Sequence, residues 1–260
     1  MIEYFIYNFQ SFMMMFARIF GLFNVAPIFS SESINFPTRV MFSFLITLIT
    51  FPVSGVYMHK VPESMGAYAL ILFSEVLIGV LIGFLLSIIF AGFQMAGEYF
   101  GVQMGFGYTE VIDPVSQSSM PVISNLKNLM GIMIFLVTGA HRVLIESIVY
   151  SFEKIQILKF TSKVNAGIFK SFEYAIGAMF LVAFKIALPV LGILILVTIA
   201  EAIMGKTAPQ LNIMQLSFPV KILIGIFVLI IIMPFIEKQM EAGFSLSFDR
   251  LNMLMSEWPK

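Results

Sequence analysis

The chain has 260 residues, 59% of them hydrophobic and 12% charged, with basic and acidic side chains in equal number, mean hydropathy +0.97 and no cysteine. A soluble domain carries about 25% charged residues, so this composition describes an integral membrane protein. Zero net charge argues against a nucleic-acid partner, and the lack of cysteine excludes disulfides, thiolate metal sites and a cysteine nucleophile.

The expected fold class is all-α and membrane-embedded, with about six hydrophobic helical segments, some broken or tilted. The N-terminal Met1, Ile2, Glu3 and Tyr4 lack the positive region of a secretory signal, so the start is read as mature protein. The first segment, residues 9–29, is interrupted by Arg18 and closed by Pro27; the second, 40–58, is uncharged and ends near Pro52. The third, 76–97, holds no ionisable residue and is long enough to cross a hydrocarbon core of about 30 Å. The fourth, 129–150, carries His141, Arg142 and Glu146 in its second half. The fifth, 174–200, contains Lys185 and Pro189, and the sixth, 216–234, contains Lys221.

Between the third and fourth segments the pattern changes. Gly97, Glu98, Tyr99, Phe100, Gly101, Val102, Gln103, Met104, Gly105, Phe106 and Gly107 are followed by a polar run over 108–128 with an Asp113-Pro114 turn. This stretch is not expected to be a regular membrane helix. Irregular backbone survives at membrane depth only where protein buries it or water bathes it, which makes the stretch the candidate pore or gate. Gly97, Gly101 and Gly105 stand four residues apart, the spacing that lets a neighbouring helix approach closely. Gly79 and Gly83 form a second, weaker pair of this kind. Phe93, Met95, Tyr99, Phe100, Met104 and Phe106 can seal a hole without a hydrogen bond, as hydrophobic constrictions do, or can simply pack.

The basic residues suggest a topology. With six spans, Lys60, Lys154, Lys159, Lys163, Lys170, Lys238, Arg250 and Lys260 share one side, which the positive-inside rule makes cytoplasmic, together with both termini. Residues 153–173 are expected to face water or lipid headgroups. In the tail, about 237–258, Met240, Phe244, Phe248, Leu251, Met255 and Trp258 recur at helical spacing opposite Glu241, Arg250 and Glu257. This amphipathic helix would lie on a membrane surface or dock on a partner. No repeat or linker divides the chain, and residues 1–260 are taken as one domain.

Charges inside apolar segments cost about 2.5–3.5 kcal/mol each on insertion scales, so they need partners or a path. Arg18, Glu75, Lys185, Glu201 and Lys221 are expected at subunit interfaces, in salt bridges or reaching an interface; the alternative is an ion or proton pathway through Glu75, Lys185, Glu201 and Lys221. Enzyme chemistry has little to use: no metalloprotease, serine-hydrolase or phosphate-loop motif is present, and His59 and His141 lack a partner constellation. No cofactor or metal is expected.

Taken together, the residues resemble the FliR/SctT family of type III secretion export-gate subunits. The resemblance is carried by Arg18 to Pro27, by Pro37, Thr38 and Arg39, and by Gly101 to Gly105 with Asp113 and Pro114. It continues through Gly139, Ala140 and His141, and through Pro189, Ala208 to Asn212 and Phe218 to Lys221. The flagellar branch is favoured by Gln103, Met104 and Gly105 and by Pro209 to Asn212. The resemblance implies a FliP-like portion fused to a FliQ-like hairpin, assembled with FliP-type and FliQ-type subunits and an FlhB-type switch protein in the inner membrane of the flagellar basal body. It implies export of unfolded flagellar proteins, and a plug over about residues 105–122. Met104, Gly105, Phe106, Gly107, Tyr108, Ile112, Asp113, Pro114 and Met120 would line or fill the lumen. Two alternatives stand beside this: an injectisome-type export subunit, and a stand-alone ion-coupled transporter.

Overall fold

The computed structural model describes residues 2–27, 29–30, 34–54, 64–106, 122–137, 139–155, 162–208, 210 and 212–256. Among these residues the fold is helical throughout, in eight helices: α1 Ile2–Val25, α2 Phe36–Ser54, α3 Met65–Met104, α4 Val122–Val137, α5 Ala140–Lys154, α6 Ser162–Thr207, α7 Ile213–Ile231 and α8 Met233–Ser256. The protein is an all-α membrane protein. Three helices are long and apolar enough to cross a bilayer, and up to five spans result if each of two bent helix pairs counts as one.

Length sets a limit on how these helices use the membrane. α3 has 40 residues and α6 has 46, so at about 1.5 Å per residue they extend roughly 60 and 69 Å, about twice a hydrocarbon core of ~30 Å. Each must therefore continue well beyond one crossing or lie steeply oblique within it. Six independent perpendicular spans do not describe such elements.

The helices begin and stop for local reasons. α1 ends before Pro27, whose ring disfavours helical backbone at the residue ahead of it, and Ala26 closes the turn by donating to Leu22 O at 2.8 Å. α7 opens on Asn212, whose side chain accepts from the Gln215 amide. α7 and α8 are bent by 65° at Ile232, where Pro234 has no N–H to return to the preceding turn. The fourth apolar segment divides into α4 and α5 at Gly139, whose φ of 73° lies in the left-handed region that glycine enters freely. α6 begins in the polar stretch expected to be surface, 12 residues ahead of the apolar run. Polarity there indicates exposure to water, not loss of helix.

The helices gather into two compact units, residues 1–88, 139–176 and 244–260 in the first and 89–138 and 177–243 in the second. In the first, α1 and α3 cross with their backbones almost touching. A Cβ on Gly79 would collide with the Arg18 carbonyl, one on Gly21 with the Val76 carbonyl, and one on Gly83 would lie 2.9 Å from Leu22 O. α2 packs on α1 inside out. Its buried stripe is Ser43, Thr47, Thr50 and Ser54, while Met41, Phe42, Leu48, Ile49 and Val53 point outward. The first three hydroxyls are satisfied by carbonyls one turn back, Ser43 to Arg39 O at 2.8 Å, Thr47 to Ser43 O at 2.6 Å and Thr50 to Ile46 O at 2.8 Å, so burying them leaves little unpaid. Phe12 meets Phe44 and Phe51 edge-on at 5.4 and 5.6 Å between the same two helices.

In the second unit Phe90, Phe93, Phe135 and Met240 form the centre. The tail helix does not wait for a membrane surface or a partner: Met240, Phe244, Phe248, Leu251 and Met255 are all buried within the chain. Trp258 and Glu257 lie outside the described residues.

The crossing of α1 and α3 leaves no room for a methyl group. Gly79→Ala is expected to destabilise the protein by about 1–3 kcal/mol through overpacking, read from thermal unfolding in detergent. Gly177→Ala, where an added Cβ meets no atom within 4 Å, is expected to be neutral or slightly stabilising.

Candidate functional site

The stretch expected to resist helix formation is helical up to Met104. Its glycines cost roughly 1 kcal/mol each in helix propensity, but Gly97, Phe100, Gly101 and Met104 are buried, and that packing outweighs the cost. The break comes at Gly105, with φ 98°. The Phe106 amide donates to Gly101 O and the Gly105 amide to Val102 O, both at 3.0 Å. This pair of bonds around a left-handed glycine is the Schellman ending of a helix, so the departure point of the following segment is fixed by backbone geometry.

α7 holds that ending in place. Its Phe218, Lys221 and Gly225 share one face by their three- and four-residue spacing. A Cβ on Gly225 would lie 2.6 to 2.8 Å from the end of Met104, and one on Gly105 would lie 2.6 Å from the Phe218 ring. Met104 thus fills a notch that only glycine leaves. Beside it, Val102, Gln103, Gly105, Ile213, Ser217, Phe218 and Lys221 line a cavity of about 510 Å³. Where Lys221 borders this cavity, its Nζ lies 3.4 Å from Glu201 Oε2, and Ser217 donates to the same oxygen at 2.8 Å. Glu201 is 7% exposed, and its Oε1 is buried with no hydrogen-bond partner among the described residues.

The other embedded charges are placed as follows. Arg18 is 1% and Glu75 3% exposed. Arg18 Nε donates to Glu75 Oε2 at 2.6 Å, and its two terminal nitrogens to Ser151 Oγ at 2.9 Å and Ile155 O at 2.8 Å. The guanidinium also lies 4.4 Å from the centre of the Phe152 ring. This pair closes inside the chain. Lys185 is exposed on α6, so it is not buried by its own chain. Met104, Gly105 and Phe106 are described; Gly107, Tyr108, Ile112, Asp113, Pro114 and Met120 lie outside the described residues. Sequence reasoning gave little weight to Gly79 and Gly83 and did not select Gly21, Ser217 or Gly225. The signal was present in the four-residue spacings Glu75, Gly79, Gly83 and Ser217, Lys221, Gly225.

A helix end clamped by a second helix, in a chain this apolar, is a scaffold feature. Comparison with known families is decisive about which scaffold. The family model for bacterial export proteins, family 1, matches residues 9–247. The chain belongs to this family. Its members similar to this chain include the flagellar biosynthetic protein FliR of Bacillus subtilis (strain 168), 31% identical over 251 residues, covering 95% of each chain. That of Escherichia coli (strain K12) is 30% identical over 243 residues, 93% of this chain and 91% of its own. That of Borreliella burgdorferi is 28% identical over 240 residues, 90% and 86%. Similarity thus runs through both units and all eight helices of this export-family fold.

Two substitutions probe the geometry. Gly105→Ala forces a side chain into left-handed backbone and against Phe218, and is expected to cost about 1–2 kcal/mol, measured by thermal unfolding in detergent. Glu75→Gln leaves a buried guanidinium without its counter-charge and is expected to cost about 3–5 kcal/mol, whereas Arg18→Met with Glu75→Leu together should cost less than either single change. Denaturant unfolding of the Glu75→Gln, Arg18→Met, Glu75→Leu and doubly substituted chains checks the order.

Proposed function

We propose that this chain is a subunit of the flagellar type III protein export gate. It forms part of a closed channel across the bacterial inner membrane, assembled with FliP-type and FliQ-type subunits and contacting an FlhB-type switch protein. Unfolded flagellar proteins pass through the channel, driven by other components, and the chain itself performs no catalysis. The observation that carries this reading is the near full-length similarity to flagellar biosynthetic proteins FliR, over 95% of both chains in the first case. That the relatives named above carry flagellar names favours the flagellar over the injectisome branch.

In this reading the segment from Gly105 to about residue 122 is the plug. What supports it is the fixed Schellman ending at Gly105 and the clamp formed by Gly225 and Phe218, which give a movable stopper a rigid root. Met104, Gly105 and Phe106 stand at that root, and Gly107, Tyr108, Ile112, Asp113, Pro114 and Met120 belong to the stopper. Gly97 and Gly101, both buried, pack the helix that carries it. A stand-alone ion-coupled transporter is less well supported. It needs titratable groups facing a path, and Arg18 with Glu75 and Lys221 with Glu201 close on each other.

Deleting residues 107–120, which spares the helix ending, tests the plug. Cells carrying the variant complex are expected to lose membrane potential and admit small ions at a rate well above wild type, read with a potential-sensitive dye. An assembled complex with unchanged permeability would count against the plug.

A further inference from the structure

α6 carries a seam that its own chain leaves uncovered. Leu181, Lys185, Leu188, Gly192, Ile195 and Ile199 follow one another at alternating spacings of four and three residues, the repeat by which one helix packs along another. All six are exposed, and the four apolar ones are at least half exposed. A Cβ on Gly192 would meet nothing within 4 Å. At Gly79 and Gly21 the missing side chain serves a neighbour in this chain; at Gly192 the space stands open for a backbone from elsewhere.

Lys185 is the one charge in this row. It forms no ion pair among the described residues. Faced with lipid tails, an ammonium in such a helix is costly unless it reaches an interface. Faced with a carboxylate on a neighbouring helix, it is neutralised. A lone polar residue in an apolar seam also fixes the register of packing. A second copy of this chain meeting the first symmetrically about Lys185 would set ammonium against ammonium, which repels.

We propose that this seam docks an apolar helix of a different membrane subunit, one that carries an Asp or Glu in register with Lys185. The inference rests on the export-complex reading and adds to it the face used and the chemistry of its partner. Gly192 is the point of closest approach, and Lys185 selects the partner by charge.

The test uses the full chain in cells that make the whole apparatus, with Lys185→Glu, Lys185→Arg and Gly192→Leu compared after extraction in mild detergent. Lys185→Glu and Gly192→Leu are each expected to lower recovery of the membrane partners by about tenfold, as loss of a buried charge pair or of close packing does, while Lys185→Arg stays near wild type. Thermal unfolding of the isolated variants should be unchanged, separating lost docking from lost folding. In the wild-type complex a lipid-soluble carbodiimide is expected to join Lys185 to an acidic residue in an apolar segment of another subunit, identified by peptide mass. Wild-type recovery with Lys185→Glu, or an intact complex yielding no such cross-link, overturns the proposal. A wild-type chain recovered with no membrane partner overturns the export-complex reading beneath it.

Discussion

One arginine organises the first unit. Arg18 sits in α1 where the helix backbone meets α3, so its carbonyl touches Gly79 while its side chain reaches Glu75 one turn away. The remaining donors go to Ser151 Oγ and Ile155 O at the end of α5, where a cation also meets the negative pole of that helix. A single guanidinium therefore fixes three elements. A buried charge of this kind is expensive to desolvate and contributes little net stability when paired, but it is severe on alternatives. Any slip of α1 along α3 by a turn strands both charges, and a slip by three residues also drives a backbone into the Cβ of Val76 or Ile82 in place of Gly79. The glycines permit the close approach, and the ion pair gives it one register.

The membrane shapes the rest by removing the usual reward for burying apolar groups. With lipid outside, a helix gains nothing by turning Leu inward, and what holds it is close contact and hydrogen bonding. α2 follows this logic, hiding a Ser and Thr stripe whose hydroxyls bond to its own carbonyls and presenting Phe, Leu and Ile outward. α3 behaves in the opposite manner, since well over half of its most apolar window is buried. Two candidate spans thus play different parts, one a wall and one an axis. Only contacts within the fold distinguish them.

That distinction marks the boundary of what the sequence makes legible. The membrane class, the helical fold and the apolar segments follow from composition and run length alone, because the bilayer admits few backbone solutions. The tail helix and its buried face were legible from the spacing of Met240, Phe244, Phe248, Leu251 and Met255. The ends of α3 and α6 were not. Hydropathy reports where lipid can lie, whereas helices continue into water and protein for as long as the backbone is supported. Gly97 and Gly101 looked like breakers because propensity penalises them, and burial reversed the outcome; Gly105 breaks the helix because it alone turns to positive φ. At the candidate site, the charged residues could be named from the sequence, but their partners depended on crossings that no local pattern encodes. Glu75 finds Arg18 across 57 residues, and Met104 finds Gly225 across three intervening helices.

The same geometry limits how a gate at Gly105 could move. Met104 cannot leave the Gly225 notch without uncovering a fully buried side chain, and the two amide bonds to Gly101 O and Val102 O hold the final turn of α3. If the proposed plug moves, its displacement would therefore start beyond the helix, at the first bonds after Gly105. Phe218 and Lys221 face that point from α7, and Lys221 is drawn toward Glu201 by a carboxylate that already accepts from Ser217. In the proposed plug, a stopper rooted in this way would be displaced without unseating Met104 from the Gly225 notch.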